Sequence, residues 1–174
     1  MAKITFILGG ARGGKSTAAL KMAKKYGDEV AFVATATVFD KEMKARIALH
    51  KKNRPSVWAT YEEPKNVVPI LRKINSKVKL VIIDCLTLLI SNMLLDGMKD
   101  LEIENRVIQM LETLRSAKYK SVIVSNEVGL GLHPNNALGR RFRDLQGRVN
   151  QMVAGKADQV LFMVSGIPMK VKGN

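Results

Sequence analysis

Five short apolar runs recur along the chain and alternate with segments of helical periodicity. The runs occupy residues 3–10, 29–36, 79–86, 120–127 and 159–166, and each is nearly continuous in its hydrophobicity. Strands of this kind are buried on both faces, as in a parallel sheet covered by helices. Helical patterns occupy residues 15–26, 40–53, 64–76, 86–96, 101–118 and 135–156. The alternation predicts an α/β protein with a mostly parallel sheet and helices on both faces.

The ends and the length of the chain add little to this pattern. The 174 residues contain no internal repeat and no Pro/Gly-rich linker, so we expect a single domain over residues 1–174. The tail "MKVKGN" either forms a short edge strand or frays. No apolar run approaches the roughly 20 residues that span a bilayer, and the N-terminus lacks the features of a signal peptide. The single cysteine, Cys85, excludes internal disulfides and suits a cytoplasmic location.

A net charge of +14 favours anionic partners such as nucleotides, nucleic acid or acidic lipid. The basic residues form no long block, however, and an aromatic content of 5% leaves few rings on which single-stranded nucleic acid would stack. A lysine-rich solvated surface explains most of this charge equally well.

The first apolar run leads directly into "GGARGGKS", in which Gly9, Gly14, Lys15 and Ser16 fit G-x-x-x-x-G-K-[ST]. Glycines let backbone N–H groups surround phosphate oxygens at a helix N-terminus, where the helix dipole favours an anion. Lys15 would reach the β- and γ-phosphates, and Ser16 would ligate Mg²⁺. Because a strand and a helix flank the motif as required, a chance match is a poor alternative.

Two acidic residues follow buried strands. Asp84 ends "LVIID" at the sheet edge where the phosphate-binding loop just described (the P-loop) should lie, and it fits a metal-binding role. The alternative is that Asp84 caps the helix that follows. Glu127 follows "VIVSN" and would assist metal or base chemistry, or would be an ordinary loop acid.

A histidine lies near the end of the segment "DKEMKARIALHKKNRP". Asp40 is expected to cap this helix, Met43, Ile47 and Ala48 form its apolar stripe, and Pro55 should end it at Arg54. A spacing of four places Glu42, Arg46, His50 and Arg54 on one face. The helix dipole favours a protonated imidazole, whereas the nearby cations disfavour it. From these residues alone, His50 is either a neutral nucleophile beside a triphosphate or part of a solvated basic face.

The sequence resembles the family of bifunctional adenosylcobinamide kinase/adenosylcobinamide-phosphate guanylyltransferases of cobalamin biosynthesis. The matching segments run through nearly the whole chain in order: "ILGGARGGKS", "VATATVFDKEMKARIALHKKNRPSVWATYEEP", "IIDCLTLLISNML", "VSNEVGLGLHPNNALGRRFRDLQGRVNQ" and "VSGIP". The resemblance implies a RecA-type P-loop fold assembled as a homotrimer. It also implies two reactions: phosphorylation of adenosylcobinamide by ATP or GTP, and transfer of GMP from GTP, through a guanylylated histidine, to adenosylcobinamide phosphate.

The family pattern places the guanylylated histidine on His50, and Mg²⁺ on Ser16 and Asp84. It implies nucleotide contacts at Gly9, Gly10, Ala11, Arg12, Gly13, Gly14, Lys15, Ser16, Ala34, Thr35, Ala36, Lys51, Lys52, Asn53, Arg54, Glu62 and Asp84. Arg46 joins this set as a further cation for the charge that develops on pyrophosphate. Family members often carry serine where this chain has Gly13, so a hydroxyl is lost from an otherwise intact loop.

Other features remain open at the level of sequence. Arg140, Asp144 and Arg148 share one helical face that binds phosphate, packs between subunits or is simply ion-paired, and His133 is interpreted as structural or incidental. One alternative function is a P-loop kinase for another small molecule, in which His50 is inert. Another is a nucleic-acid-binding ATPase, although no DNA- or RNA-binding motif is present. Neither nucleic acid nor a membrane is therefore an expected partner.

Overall fold

A seven-stranded sheet forms the centre of the protein. The computed structural model describes residues 2–38, 40–52 and 54–173, apart from the side chain of Arg46. The strands are β1 (Ile4–Gly9), β2 (Val30–Ala34), β3 (Ala59–Glu62), β4 (Leu80–Asp84), β5 (Lys120–Val124), β6 (Gln159–Val164) and β7 (Ile167–Lys172). Across the sheet they follow the order β3-β2-β4-β5-β1-β6-β7. The first six strands are parallel, and β7 is antiparallel to β6, so the predicted mostly parallel sheet is confirmed.

Helices occur in all six predicted segments. The helix predicted over residues 64–76 is too long, because the helix observed there, α3 (Val68–Lys73), has only six residues. Pro69 lies in its first turn, where a missing N–H costs little. A 3₁₀ turn, Lys24–Tyr26, extends the first helix. Among the described residues, no helix is long and apolar enough to cross a membrane. The helices are α1 (Lys15–Ala23), α2 (Lys41–Lys52), α3 (Val68–Lys73), α4 (Leu86–Leu95), α5 (Asp100–Ser116) and α6 (Ala137–Lys156).

Helices cover both faces of the sheet. Successive residues of a strand point to opposite faces, so their side chains enter two separate apolar cores. Phe6 belongs to the core that contains side chains of α3, α4, α5 and α6. Its neighbour Ile7 belongs to the core on the other face, together with Ala19 of α1 and Trp58. Each fully buried side chain of this size contributes roughly 1.5–3 kcal/mol. The two cores fix the sheet, so the loops that leave the carboxyl ends of its parallel strands meet at one edge.

The prediction from the hydrophobic pattern differs most from the structure at the two edges of the sheet. The strand β3 was not predicted, because its "ATYE" sequence is polar and its side chains are mostly exposed. At the opposite edge, the C-terminal tail forms β7, so the edge-strand alternative is correct. Pro168 lies within β7, which is compatible with the outermost position in a sheet.

Candidate nucleotide and histidine site

Two glycines shape the loop between β1 and α1. Gly9 has φ of +150°, and an added Cβ would lie 2.7 Å from the carbonyl oxygen of Met163 on β6. Gly14 caps α1 with φ of +86°, and an added Cβ would lie 3.2 Å from the Cα of Gly166. Larger residues rarely adopt these backbone conformations. The loop geometry therefore accounts for both glycines of the phosphate-binding pattern.

Within this loop the backbone makes a tight turn, to which the side-chain amine of Lys15 is hydrogen-bonded. The Gly13 N–H donates to the Gly10 carbonyl oxygen over 3.2 Å. The Lys15 side chain is buried, and its Nζ donates to the same carbonyl oxygen over 2.6 Å. The first N–H groups of α1 have no acceptor inside the helix, as at any helix N-terminus. Backbone donors, a helix dipole and an ammonium group thus meet at one place, which suits a phosphate chain.

His50 and the phosphate-binding helix α1 line the same narrow cleft. It has a volume of about 70 Å³, enough for a few water molecules, and its lining includes Ser16 of α1, His50 of α2 and Asp84 of β4. The remaining lining residues are Thr17, Leu20, Phe32 and Arg54. His50 lies in the last turn of α2 and is half-buried. The sequence separates these groups by up to 68 positions (Ser16 to Asp84), and the fold places them around one opening.

The helix that carries His50 begins as predicted but ends earlier. Asp40 Oδ1 accepts a hydrogen bond of 2.7 Å from the Met43 N–H, which confirms the predicted cap. The apolar stripe is partly correct, since Met43 and Ile47 are half-buried and Ala48 is exposed. The helix ends at Lys52, so the prediction that Arg54 shares its face is wrong.

Arg54 instead turns towards β2. Its guanidinium carbon lies 3.7 Å from the centre of the Phe32 ring, a cation–π contact. Burial lowers the pKa of Arg54, although the carboxylates of Asp84 and Glu62 act in the opposite direction. Arg54 Nη1 is buried, and none of the described residues offers it a hydrogen-bond partner. A buried cationic donor without an acceptor is costly, so this atom is suited to an anionic ligand in the cleft.

Asp84 lies at the predicted sheet edge, at the end of β4. Its carbonyl oxygen accepts a hydrogen bond from the Thr35 N–H over 3.2 Å, and its side chain reaches the cleft. The N-cap of α4 is Cys85, so Asp84 is not the helix cap that the sequence left as an alternative. Across the described part of the chain, no group of three or more His, Cys, Asp or Glu side chains could hold a metal ion. A magnesium ion held by Ser16 and Asp84 would therefore also need phosphate oxygens, which is its usual environment in nucleotide sites.

The remaining predicted contact residues lie around this opening or outside the description. Lys51 forms an ion pair with Glu62 at the end of β3, and Lys52 is exposed. Gly10, Ala11 and Arg12 are exposed on the turn of the loop. Ala34 is buried, and Ala36 is half-buried in the segment that follows β2. Asn53 and the side chain of Arg46 lie outside the described residues.

Asn92, which the sequence analysis missed, holds the segment after β2 in place. Its Nδ2 donates to the carbonyl oxygens of Thr35 (2.8 Å) and Pro64 (3.0 Å), and its Oδ1 accepts from Thr37 Oγ1 (3.1 Å). The Thr35 hydroxyl donates to the Cys85 carbonyl oxygen and accepts from the Cys85 N–H, so it faces the protein interior. The Thr35 backbone is engaged as well, because its N–H donates to the Asp84 carbonyl oxygen and its carbonyl oxygen accepts from Asn92, so the polar groups of Thr35 all serve to fix the end of β2. The signal in the sequence is a lone amide within the apolar helix "LTLLISNMLL".

The face of α6 that carries Arg140, Asp144 and Arg148 is largely paired within the chain. Arg148 donates to Glu104 and to Asp100 of α5, each over 2.8 Å. Arg140 Nη1 donates to the Pro134 carbonyl oxygen over 3.3 Å, and Asp144 pairs with Arg143. These contacts favour the ion-paired interpretation for Arg148. His133 is exposed in the loop before α6, and its ring Nδ1 lies 3.1 Å from the Pro134 carbonyl oxygen.

A glycine loop after the first strand, with an acidic strand end separated from it by β5, defines a P-loop nucleotide-binding protein of the RecA-like class. Two solved structures share this fold at 17% sequence identity. A KaiC-like protein, PH0186 of Pyrococcus horikoshii OT3, has a TM-score of 0.52 over 92% of this chain and 70% of its own. The RadB recombinase has a TM-score of 0.54 over 92% of this chain and 73% of its own.

The chain belongs to the CobU family, described as cobinamide kinase / cobinamide phosphate guanyltransferase, whose model matches residues 5–171. The bifunctional adenosylcobalamin biosynthesis protein CobP of Pseudomonas aeruginosa is 41% identical over 168 residues, 96% of each chain. CobU of Escherichia coli, which carries the same description, is 35% identical over 95% of this chain and 98% of its own. The protein is therefore an enzyme of a transferase family, as the sequence motifs imply.

Proposed function

We propose that this enzyme phosphorylates adenosylcobinamide with a nucleoside triphosphate, ATP or GTP, and then converts the product to adenosylcobinamide-GDP with GTP. The second reaction proceeds through a covalent bond between GMP and His50. The observation that carries the proposal is that His50 lines the same cleft as Ser16 of the phosphate-binding helix and Asp84. The family membership supplies the substrate class.

The triphosphate binds across the P-loop and the cations beside it. Lys15 and the N-terminal N–H groups of α1 contact the phosphate chain. Arg54 supplies a guanidinium whose buried Nη1 has no hydrogen-bond partner in the described part of the chain, and Lys51 lies nearby on the last turn of α2. Ser16 and Asp84 would hold Mg²⁺ together with phosphate oxygens, and the ion would supply further positive charge for the leaving phosphates.

The GMP transfer consists of two successive displacements at the α-phosphorus. A neutral imidazole nitrogen of His50 forms a bond to this phosphorus, and the bond to the bridging α–β oxygen breaks, so pyrophosphate leaves with the electron pair. A phosphate oxygen of adenosylcobinamide phosphate then attacks the same phosphorus, and the nitrogen–phosphorus electron pair returns to His50. Lys15 and Arg54 stabilise the charge that develops on the departing pyrophosphate.

Incubation with GTP labelled at the α-phosphate tests this proposal. The protein should take up label in a bond that is acid-labile and base-stable, as a phosphorus–nitrogen bond to histidine is. The chain contains two histidines, so His133→Ala is the matched control for His50→Ala. Label on wild type and on His133→Ala, but not on His50→Ala, is the expected result. Unlabelled wild type would instead favour a P-loop kinase in which His50 is inert.

Assembly and location belong to the same proposal. We expect a homotrimer, and exposed apolar side chains on alternate residues of the edge strand β7 support self-association: Ile167, Met169 and Val171. Light scattering coupled to size exclusion tests this, and a monomeric mass at micromolar concentration would contradict it. A cytoplasmic location suits the nucleotide substrates and the single, buried Cys85.

A further inference from the structure

The segment after β5 borders the P-loop and carries one carboxylate, Glu127. The Ser125 N–H donates to the Ile7 carbonyl oxygen over 2.9 Å, and the Glu127 N–H donates to the Gly9 carbonyl oxygen over 3.0 Å. These bonds extend the pairing of β5 with β1 up to the first glycine of the loop. The backbone of Glu127 is thus fixed directly beside the phosphate-binding turn.

The side chain of Glu127 is also oriented. Its Oε1 accepts a hydrogen bond of 2.6 Å from the Gly129 N–H, and the residue is half-buried. An added Cβ at Gly129 would lie 3.0 Å from this oxygen, so a side chain at position 129 would crowd the carboxylate. Oε1 is committed to the backbone, which leaves Oε2 as the atom for an external partner. Beyond it the chain is open to solvent, with Leu130 exposed over 82% of its surface.

A buried polar network holds this strand end rigidly. Thr87 Oγ1 accepts from the Asn126 N–H over 2.7 Å, and Asn150 Nδ2 donates to the Asn126 carbonyl oxygen over 3.1 Å. Both polar backbone groups of the residue before Glu127 are therefore held by side chains. Ser125 and Gln146 complete the network through hydrogen bonds to Asn150 Oδ1 of 2.9 and 2.8 Å. Networks shielded from water are strong and rigid, so they can fix the position of a group at their edge.

We propose that Glu127 is the general base of the phosphorylation reaction. The acceptor is the alcohol of adenosylcobinamide, so the inference rests on the kinase half of the proposed function. The hydroxyl oxygen forms a bond to the γ-phosphorus, and the bond from that phosphorus to the β–γ bridging oxygen breaks. The nucleoside diphosphate leaves with the electron pair, and the hydroxyl proton passes to Glu127 Oε2 and then to water.

The two reactions of the enzyme differ in their need for such a base. His50 attacks without losing a proton, and the acceptor of GMP is a phosphate oxygen that is already ionised. Only the alcohol in the first reaction carries a proton that must be removed. Loss of the Glu127 carboxylate should therefore affect phosphorylation and spare guanylylation of the protein.

The variant Glu127→Gln keeps an oxygen that can accept from the Gly129 N–H, so its fold should be retained. Removal of a general base typically lowers the rate about 10²–10⁴-fold, and we expect at least about 100-fold loss in kcat for adenosylcobinamide phosphorylation. Labelling by α-labelled GTP should stay within about threefold of wild type. Glu112→Gln, on the exposed face of α5, is the matched control and should alter neither reaction.

A second variant, Glu127→Ala, separates a base from a purely structural residue. Formate or acetate added to Glu127→Ala should restore part of the phosphorylation rate, because a small carboxylate can occupy the space and accept the proton. Three results would overturn the inference: Glu127→Gln within about threefold of wild type in phosphorylation, equal losses in both reactions, or no rescue by either carboxylate. Equal losses would indicate a role in binding nucleotide or metal. If wild type does not become labelled, the role proposed for His50 is wrong, and the role proposed for Glu127 is then tested by the phosphorylation rates alone.

Discussion

Replacing Asn92 by alanine should loosen the segment that follows β2 and destabilise the whole protein. The side chain is 5% exposed and makes three hydrogen bonds, two to carbonyl oxygens and one from a threonine hydroxyl. Each such bond contributes about 1 kcal/mol, so their loss costs about 3 kcal/mol. Alanine has the higher helix propensity and offsets roughly 0.7 kcal/mol of this. We therefore expect the free energy of unfolding to fall by about 2–3 kcal/mol.

Equilibrium unfolding in urea, followed by far-UV circular dichroism, measures this change. Asn105→Ala, on the exposed face of α5, is the control and should remain within about 0.5 kcal/mol of wild type. The Michaelis constant for GTP should also rise in Asn92→Ala, because the segment after β2, which is bonded to Asp84 at the cleft, loses the anchors at Thr35 and Thr37 that Asn92 provides. If Asn92→Ala unfolds within about 0.5 kcal/mol of wild type, the hydrogen bonds of Asn92 do not hold this segment.

Two further predictions concern ionisable groups. Burial opposes ionisation of Asp158, but the N–H of Ile4 and the guanidinium of Arg115 prevail and lower its pKa below that of the unfolded chain. Its stabilising effect is therefore present above about pH 4 and is lost as the pH falls through the folded value. This carboxylate is more than one third exposed, so solvent screens its interactions, and Asp158→Asn should destabilise the protein by at most about 1 kcal/mol at pH 7. Urea titrations should show the difference from wild type shrinking below about pH 4. Burial first, and the charge of Asp84 second, raise the pKa of Cys85 to about 12. Its thiol should thus resist a thiol reagent at pH 8 until urea unfolds the chain, and rapid labelling of the native protein would contradict its burial.

The hydrophobic pattern predicts the elements that are buried and fails where burial ends. The strands β1, β2, β4 and β5 are buried along most of their length and β6 is buried in part, so their apolar runs are continuous and unambiguous. The strand β3 lies at the sheet edge and only Tyr61 of its described side chains packs against the core, so its sequence carries little hydrophobic signal. The same reason left the C-terminal tail undecided, since all residues of β7 are exposed.

The site shows a similar division. The P-loop and Asp84 are predictable, because glycine spacing and a strand end dictate where the backbone goes. Arg54 is named by the family resemblance, but its orientation is not predictable, because helical spacing does not reveal that the helix stops at Lys52 and that the guanidinium stacks on Phe32. Asn92 is equally hidden, since its partners lie 28, 55 and 57 residues away in sequence. Such roles depend on contacts that only the folded chain creates.

A pulse-chase experiment tests the central claim, that His50 carries GMP between GTP and the corrinoid. Protein labelled with α-labelled GTP is freed of nucleotide, and peptide mass spectrometry locates the modified residue. Adenosylcobinamide phosphate is then added without further GTP. We expect GMP on His50 before the chase, and transfer of the label to adenosylcobinamide-GDP within one turnover. Label at another residue, or label that remains on the protein after the chase, would contradict it.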